Sequence, residues 1–197
     1  MDDGAILKRF WRFSRRVLLG AALLIGLLFA GGGLYRLWLY PYGWSHCCDV
    51  GLVMGLERYA LEHDGHFPSG EATPEASLSL LYPKWAGADL LRGKTVPKAV
   101  VAAILERGER LGPESCGWHY VEGLTTNDDH RIAIFWDKVG LGHNGQRLPQ
   151  GGHYVTYLNG TSAYIPAAEW SSFIEEQETL LRKRNAKLHP PTKVPEK

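Results

Sequence analysis

Three side chains in the second half of the chain offer the oxygen and nitrogen donors that a metal ion needs. Asp137, His143 and His153 lie in or beside the long loop "DKVGLGHNGQRLPQGG", residues 137–152. Loops of that length in a compact domain are either functional or mobile, and these donors would suit a metal-dependent hydrolase. Their spacing matches no H-x-x-x-H or comparable ligand pattern. The sequence therefore favours ordinary roles: Asp137 ends a strand, His143 hydrogen-bonds within the loop and His153 points to solvent.

A second group of oxygen donors lies in "TTNDDH", residues 125–130. Asp128 and Asp129 could hold calcium through their carboxylates. Asn and Asp are also the residues that turns prefer, because their side chains bond to nearby backbone groups. The favoured interpretation is a turn, with calcium as the alternative, and no other cofactor is predicted.

No nucleophile stands in a recognisable catalytic arrangement. The chain lacks the G-x-S-x-G motif of serine hydrolases. Cys116 and His119 are three residues apart, so on one strand their side chains point to opposite faces. The sequence predicts no catalytic residue and a protein that is not an enzyme.

The N-terminal region has the length and composition of a membrane-spanning helix. Residues 17–35, "VLLGAALLIGLLFAGGGLY", contain no charged residue, side-chain amide or proline. As a helix they reach roughly 28 Å, close to the thickness of the hydrocarbon core. Aromatic residues cluster between Tyr35 and Trp44, as at a membrane interface. We predict a transmembrane helix over residues 17–40. The alternative is a cleaved signal peptide with its small-residue site at 30–32.

The distribution of charge predicts orientation and excludes one class of partner. Residues 1–16 carry a net charge of +3, which places them in the cytoplasm and residues 41–183 outside, in the periplasm or beyond. The predicted location is the inner membrane, crossed once. Between residues 37 and 181 there are ten basic and eighteen acidic side chains, and such an acidic body argues against nucleic-acid binding. Residues 184–197 are predicted to be a disordered basic tail.

Three cysteines fall on the predicted exported side, where disulfides persist. The sequence predicts a disulfide from Cys116 to Cys47 or Cys48, leaving one odd thiol. Zinc is disfavoured because the spacing contains no C-x-x-C pair.

Hydrophobic periodicity predicts four helices beyond the membrane span. An amphipathic helix lies within residues 46–65, and a short one near 75–82 ends before Pro83. A third begins at Pro97 and closes with Gly112. The last covers residues 166–184, with these apolar side chains inward: Trp170, Phe173, Ile174 and Leu181.

Between the third and last helices the pattern changes to that of strands. "GWHYVE" alternates, with Trp118 and Tyr120 on one face. "RIAIFW" is almost wholly apolar, as in a central strand covered on both faces. "HYVTYL" and "TSAYI" flank Asn159-Gly160, which predicts a hairpin whose two turn residues both have positive φ. The predicted class is α+β, with helices packed on a small antiparallel sheet.

The order of these motifs resembles a known family. After the apolar helix come "C-x-x-x-L…Y-A-x-x-x-D-G-x-F-P", "SLSLLYPKW", "HYVEGL" and "FWDK…H-N-G…YVTYLNG". This succession, from Cys48 to about Trp170, is similar to pilin-like and type II secretion pseudopilin-like proteins of the planctomycete type. The resemblance implies a bacterial, non-enzymatic subunit or accessory of a secretion or pilus-like assembly. Its expected partners are the lipid bilayer and other secretion or pilin-like subunits. Some major pseudopilins also bind calcium through loop carboxylates.

The sequence differs from that family at three points. Nothing near Gly4 or Gly20 matches the prepilin peptidase leader, and the apolar run contains no Glu with which to pair a neighbouring subunit's N-terminus. Asn159 stands where the family has the Asp of a final Asp-Gly. We therefore expect a membrane-tethered relative rather than an ordinary filament subunit.

Overall fold

The computed structural model describes residues 3–45 and 49–188. Contacts divide the chain into two compact units, Met1–Pro41 and Tyr42–Lys197, and each is described by itself.

The first unit is built on one long helix, α1 (Asp3–Leu39). Its segment Arg15–Leu39 has a mean hydropathy of 2.3, and none of it is buried in the structure. By length and composition this helix is able to cross a membrane, which confirms the coarse prediction of an apolar N-terminal helix. The helix begins at Asp3, within the basic segment 1–16 that was predicted to lie in the cytoplasm.

Over residues 42–45 and 49–188, the second unit contains five further α-helices. Short 3₁₀ helices follow α3 at Ser79–Leu81 and precede α6 at Ala167–Glu169. The α-helices are α2 (Asp49–Glu62), α3 (Pro74–Leu78), α4 (Ala88–Leu91), α5 (Lys98–Glu106) and α6 (Trp170–Leu188). All but α4 were predicted from periodicity.

Local chemistry explains where these helices start and stop. Thr73 caps α3, its hydroxyl accepting the Ala76 N–H at 3.2 Å. Beyond α2, Asp64 and Gly65 have φ of 53° and 81°, which ends the helix as predicted. The prediction for α5 was too long: the helix ends at Glu106 because Gly108 adopts φ 75°.

Four antiparallel strands form one sheet in sequence order. All five residues of the second strand are buried, which confirms the predicted central strand. The first strand buries Trp118 and Tyr120 and exposes His119, as the alternation predicted. A register shift between Ala133 and Phe135 places an irregularity in the second strand. The strands are β1 (Trp118–Tyr120), β2 (Ala133–Asp137), β3 (His153–Tyr157) and β4 (Ser162–Ile165).

The β3–β4 hairpin is confirmed, but its turn geometry differs from the prediction. Gly160 has φ 76°, whereas Asn159 does not have positive φ. The Gly160 N–H donates to Tyr157 O at 2.9 Å, and the Tyr157 N–H donates to Thr161 O at 2.9 Å. This is the longer hairpin connection, in which a turn is followed by a left-handed glycine. Asn159 contributes through its side chain, whose Oδ1 accepts from the Thr161 N–H at 3.1 Å and its hydroxyl at 2.7 Å.

Helices cover the sheet on both faces. The larger core cluster joins Trp118 of the sheet to Leu52 of α2. The smaller cluster joins Trp136 and Val155 to Phe173 of α6. Two apolar faces buried by helices account for the apolar run Ala133–Trp136 of β2, and the α+β class is confirmed.

Helix α6 makes more buried and polar contacts with the rest of the domain than the sequence predicted. It buries Phe173, Gln177 and Leu180, of which only Phe173 was predicted to face inward. The Arg184 guanidinium donates from Nε to Asp128 Oδ1 at 2.8 Å. Residues 184–188 thus belong to the helix, where the disordered tail was predicted to begin; residues 189–197 lie outside the described part.

Candidate functional site

The three predicted metal-ligating residues do not form a ligand set. His143 is exposed to solvent. The Asp137 carboxylate is paired with Lys94, and only the Asp137 backbone carbonyl approaches His153, at 2.9 Å from Nδ1. The His153 ring stacks on Trp170 with centroids 3.9 Å apart, so it does not point freely to solvent. Within residues 3–45 and 49–188, no group of three or more His, Cys, Asp or Glu is placed to hold a metal ion.

The two calcium candidates are already engaged by protein groups. Asp128 Oδ2 accepts hydrogen bonds from the Thr125 N–H at 2.7 Å and hydroxyl at 3.1 Å. Its Oδ1 accepts from Arg184. Asp129 forms a two-pronged ion pair with Arg131, at 3.1 and 2.7 Å. Hydrogen bonding to the backbone and to Thr125 is the local arrangement that turns favour.

Cys116 is a buried, free thiol in this structure. Its Sγ donates to Leu91 O at 3.3 Å, and burial raises the pKa of this thiol to about 12. A thiol with so high a pKa is a poor nucleophile at neutral pH. Its predicted disulfide partners Cys47 and Cys48 lie outside the described residues, so the disulfide stays a prediction.

Among the described residues, Lys94 is the most deeply buried charged side chain, and it lies between two aspartates. Its Nζ is 2.5 Å from Asp137 Oδ2 and 3.6 Å from Asp49 Oδ1. Lys94 is 0% exposed and Asp137 1% exposed. The rings of Trp118 and Tyr154 lie 5.7 and 5.9 Å from the same Nζ. We call these three charged residues, Asp49, Lys94 and Asp137, the Lys94 cluster.

The backbone around Lys94 is held by two glycines in close contact. Gly93 has φ +68°, and a Cβ there would lie 2.7 Å from the backbone of Gly117. A Cβ at Gly117 would lie 2.9 Å from Arg92 O, the atom to which the Gly117 N–H donates at 2.9 Å. The loop between α4 and α5 therefore packs directly on the segment that enters β1. Only glycine permits this approach.

The Lys94 cluster contains two carboxylates and one ammonium group, all of them buried from solvent. Asp49 Oδ1 and Asp137 Oδ1 are buried, and neither accepts a hydrogen bond within the described residues. The 3.6 Å between Asp49 Oδ1 and Lys94 Nζ is an ion-pair distance but too long for a hydrogen bond. Burial, assisted by the charge of Asp49, raises the pKa of Asp137 to about 7, although Lys94 acts against the shift.

Sequence reasoning selected Asp137 but assigned it the wrong neighbours. Lys94 lies 43 residues earlier along the chain, in "LLRGKTVP", where a single lysine between glycine and threonine gives no signal of burial. Asp49 was placed on the amphipathic helix without any role. The signal that was available is the glycine before Lys94, which marks a tight turn.

Comparison with known proteins adds no assignment. No family model, no curated protein and no solved structure matches the chain. What the structure defines is an α+β protein with one long apolar N-terminal helix and a small four-stranded antiparallel sheet.

Proposed function

We propose that the chain is a non-enzymatic, membrane-anchored, pseudopilin-like subunit or accessory of a type II secretion or pilus-like assembly. In this proposal α1 crosses the inner membrane once with its N-terminus in the cytoplasm. The second unit then lies in the periplasm or outside, where it binds other subunits. Order and spacing of the sequence motifs support the family, and the α+β architecture with a four-stranded antiparallel sheet is compatible with it.

The observation that carries the proposal is the exposed apolar surface of α1. Between Arg15 and Leu39 none of the helix is buried, so in water this surface would be left uncovered at a large cost in free energy. A bilayer covers such a surface, and a single helix satisfies its own backbone hydrogen bonds there. An anchored domain of this kind acts on partners that reach the same membrane.

An apolar strip on the outer face of α2 supports a role in protein contacts. Val50, Met54 and Leu61 are 61, 46 and 84% exposed. At 3.6 residues per turn these positions fall within about 40° of one another around the helix axis. The opposite face of α2 is in the core through Leu52 and Leu56. The strip, Val50, Met54 and Leu61, is therefore a candidate surface for another subunit.

The orientation is tested in membrane vesicles. We expect the full chain to resist carbonate extraction and the second unit to be cut only by protease added on the outer side. Recovery of a soluble form shortened by the apolar segment would support the signal-peptide alternative instead. Protection of the second unit from external protease would contradict the proposed orientation.

The partners are tested by site-specific photocrosslinking in intact membranes. A photoreactive residue at Met54 is compared with the same residue at Ser172, which is exposed on α6. We expect Met54 to yield defined products containing secretion or pilin-like subunits, and Ser172 to yield fewer. Absence of defined products at Met54, or equal yields at Met54 and Ser172, would contradict the proposed role in contacts between subunits.

A further inference from the structure

We propose that Lys94 and Asp137 join covalently, through an amide (isopeptide) bond between Lys94 Nζ and Asp137 Cγ. The two side chains come from the α4–α5 loop and the end of β2, 43 residues apart in sequence. Their reacting groups are held in contact, with Nζ 2.5 Å from Oδ2. Contact at this distance supplies the proximity that an intramolecular reaction needs.

Burial supplies the second requirement, which is that both groups react in their neutral forms. An ammonium cannot attack, and a carboxylate is a poor acceptor. At 0 and 1% exposure, Lys94 and Asp137 are withdrawn from the water that stabilises their charges. The raised pKa of Asp137 reflects this burial. The rings of Trp118 and Tyr154 help to exclude the water that would favour the ions.

Asp49 supplies the third requirement, a group that moves protons. Its Oδ1 lies 3.6 Å from Lys94 Nζ and accepts no hydrogen bond within the described residues. A carboxylate in that position is able to take a proton from Nζ and return it to the departing oxygen. The role assigned to Asp49 is therefore general base and then general acid.

The reaction balances without any oxidant or further reactant. Lys94 Nζ first gives one proton to the Asp137 carboxylate that it contacts, so that amine and acid are both neutral, and the amine then forms a bond to Cγ. Asp49 takes a second proton from Nζ and returns it to the departing hydroxyl, which leaves as one water molecule when the Cγ–O bond breaks. Ammonium and carboxylate become one neutral amide, and Asp49 returns to its starting state.

Other lysine–carboxylate contacts in the same domain serve as internal controls. Lys84 touches Glu62, but both side chains are about half exposed. Lys138 is 2.6 Å from Glu75 Oε1, with 28% of the lysine side chain exposed. Among the described residues, neither lysine forms an ion pair with a second carboxylate, and both are more exposed to water than Lys94. Crosslinking is expected at Lys94–Asp137 and at neither of these pairs.

The test is the intact mass of the full chain purified in detergent, followed by peptide mapping after reduction of its thiols. We expect a mass lower than that of the sequence by one water molecule, and a branched peptide joining Lys94 to Asp137. The full sequence mass with separate linear peptides for the two residues would overturn the proposal. Because the native protein itself is measured, the result does not depend on any variant folding.

Variants identify the chemistry. Asp137→Asn is expected to give the same final mass as the crosslinked native chain, because the amide then forms with loss of ammonia. Asp137→Ala and Lys94→Arg are expected to keep their full masses. Asp49→Asn is expected to lower the crosslinked fraction at early times after synthesis, and unchanged kinetics would overturn its assigned role. Glu62→Gln is the matched control and is expected to leave the crosslink unchanged.

Discussion

Gln177 is the polar side chain by which α6 is fixed to the irregular part of β2. Its Oε1 accepts the Ala133 N–H at 2.8 Å, and its Nε2 donates to Arg131 O at 3.2 Å. The side chain is buried beside the bulge between Ala133 and Phe135. We expect Gln177→Met to destabilise the domain, because methionine fills a similar volume but offers no good acceptor to the Ala133 N–H.

The magnitude follows from the hydrogen bonds that are lost. A buried donor left without its acceptor costs about 1–3 kcal/mol. Gln177→Ala adds the loss of buried methylene groups at about 0.8 kcal/mol each, so the combined cost is on the order of 3 kcal/mol. For a domain of this size, 1 kcal/mol lowers the melting temperature by about 2–4 °C. The expected fall is then about 6–12 °C for alanine, and less for methionine.

The assay is thermal and urea unfolding of the full chain in detergent, each followed by tryptophan fluorescence, with amide hydrogen exchange at Ala133. Glu178→Ala is the matched control, because Glu178 is the next residue on α6 and is exposed; a change within about 0.5 kcal/mol is expected there. A Gln177→Met variant as stable as the native chain, with unchanged exchange at Ala133, would refute the reasoning.

Three further results are expected. Gly93→Ala should unfold at a clearly lower urea concentration than Gly108→Ala. Both glycines have positive φ, but only the Cβ added at Gly93 would meet backbone, 2.7 Å away at Gly117. Equal urea midpoints for the two variants would show that the close packing of Gly93 on Gly117 is unimportant. The His119 ring is accessible at its edge but loses hydration where it stacks on Trp136, with centroids 4.1 Å apart, and His153 is partly buried. Desolvation lowers the pKa of both histidines, so below about pH 6.5 the unfolded chain binds protons that the folded chain does not, and the free energy of unfolding falls on acidification. Replacing both histidines with phenylalanine should reduce that fall, and identical urea midpoints against pH would contradict it. Finally, mass spectrometry of the non-reduced chain should show Cys116 bonded to one of the two adjacent cysteines before α2, and three free thiols would rule that disulfide out.

The fold was predictable where one segment's pattern decides its structure. In β2 a short apolar run indicates a strand buried on both faces, and in β1 the alternation of side chains indicates a strand buried on one face. Both predictions are confirmed. The turn at Asn159 was not predicted correctly, because hairpins of two lengths accept Asn-Gly. Gln177 follows Phe173 at helical spacing, but it was not among the residues predicted to face inward because that prediction named apolar side chains only.

The candidate site was less predictable, because its members are distant in sequence. Asp137 was selected as a possible metal ligand, but its partner Lys94 lies 43 residues away and no local pattern marks a buried lysine. That pairing depends on how the α4–α5 loop packs on Gly117. Tertiary contacts of this kind are visible only in the folded chain.

The amide bond would also resolve an energetic difficulty of the Lys94 cluster. Burying three ionised groups with one net negative charge is costly, and unpaired oxygens add to the cost. After the reaction only Asp49 remains charged, and the amide N–H of Lys94 is the donor placed to meet its Oδ1. Closing the 43-residue loop stabilises the fold by about 4 kcal/mol in the chain-entropy account of crosslinks. Asp137→Ala should therefore lower the free energy of unfolding by at least about that amount, whereas Asp137→Asn, which forms the same amide, should match the native chain. If both variants were equally destabilised, the contribution of residue 137 would be that of an ion pair and not of a covalent bond.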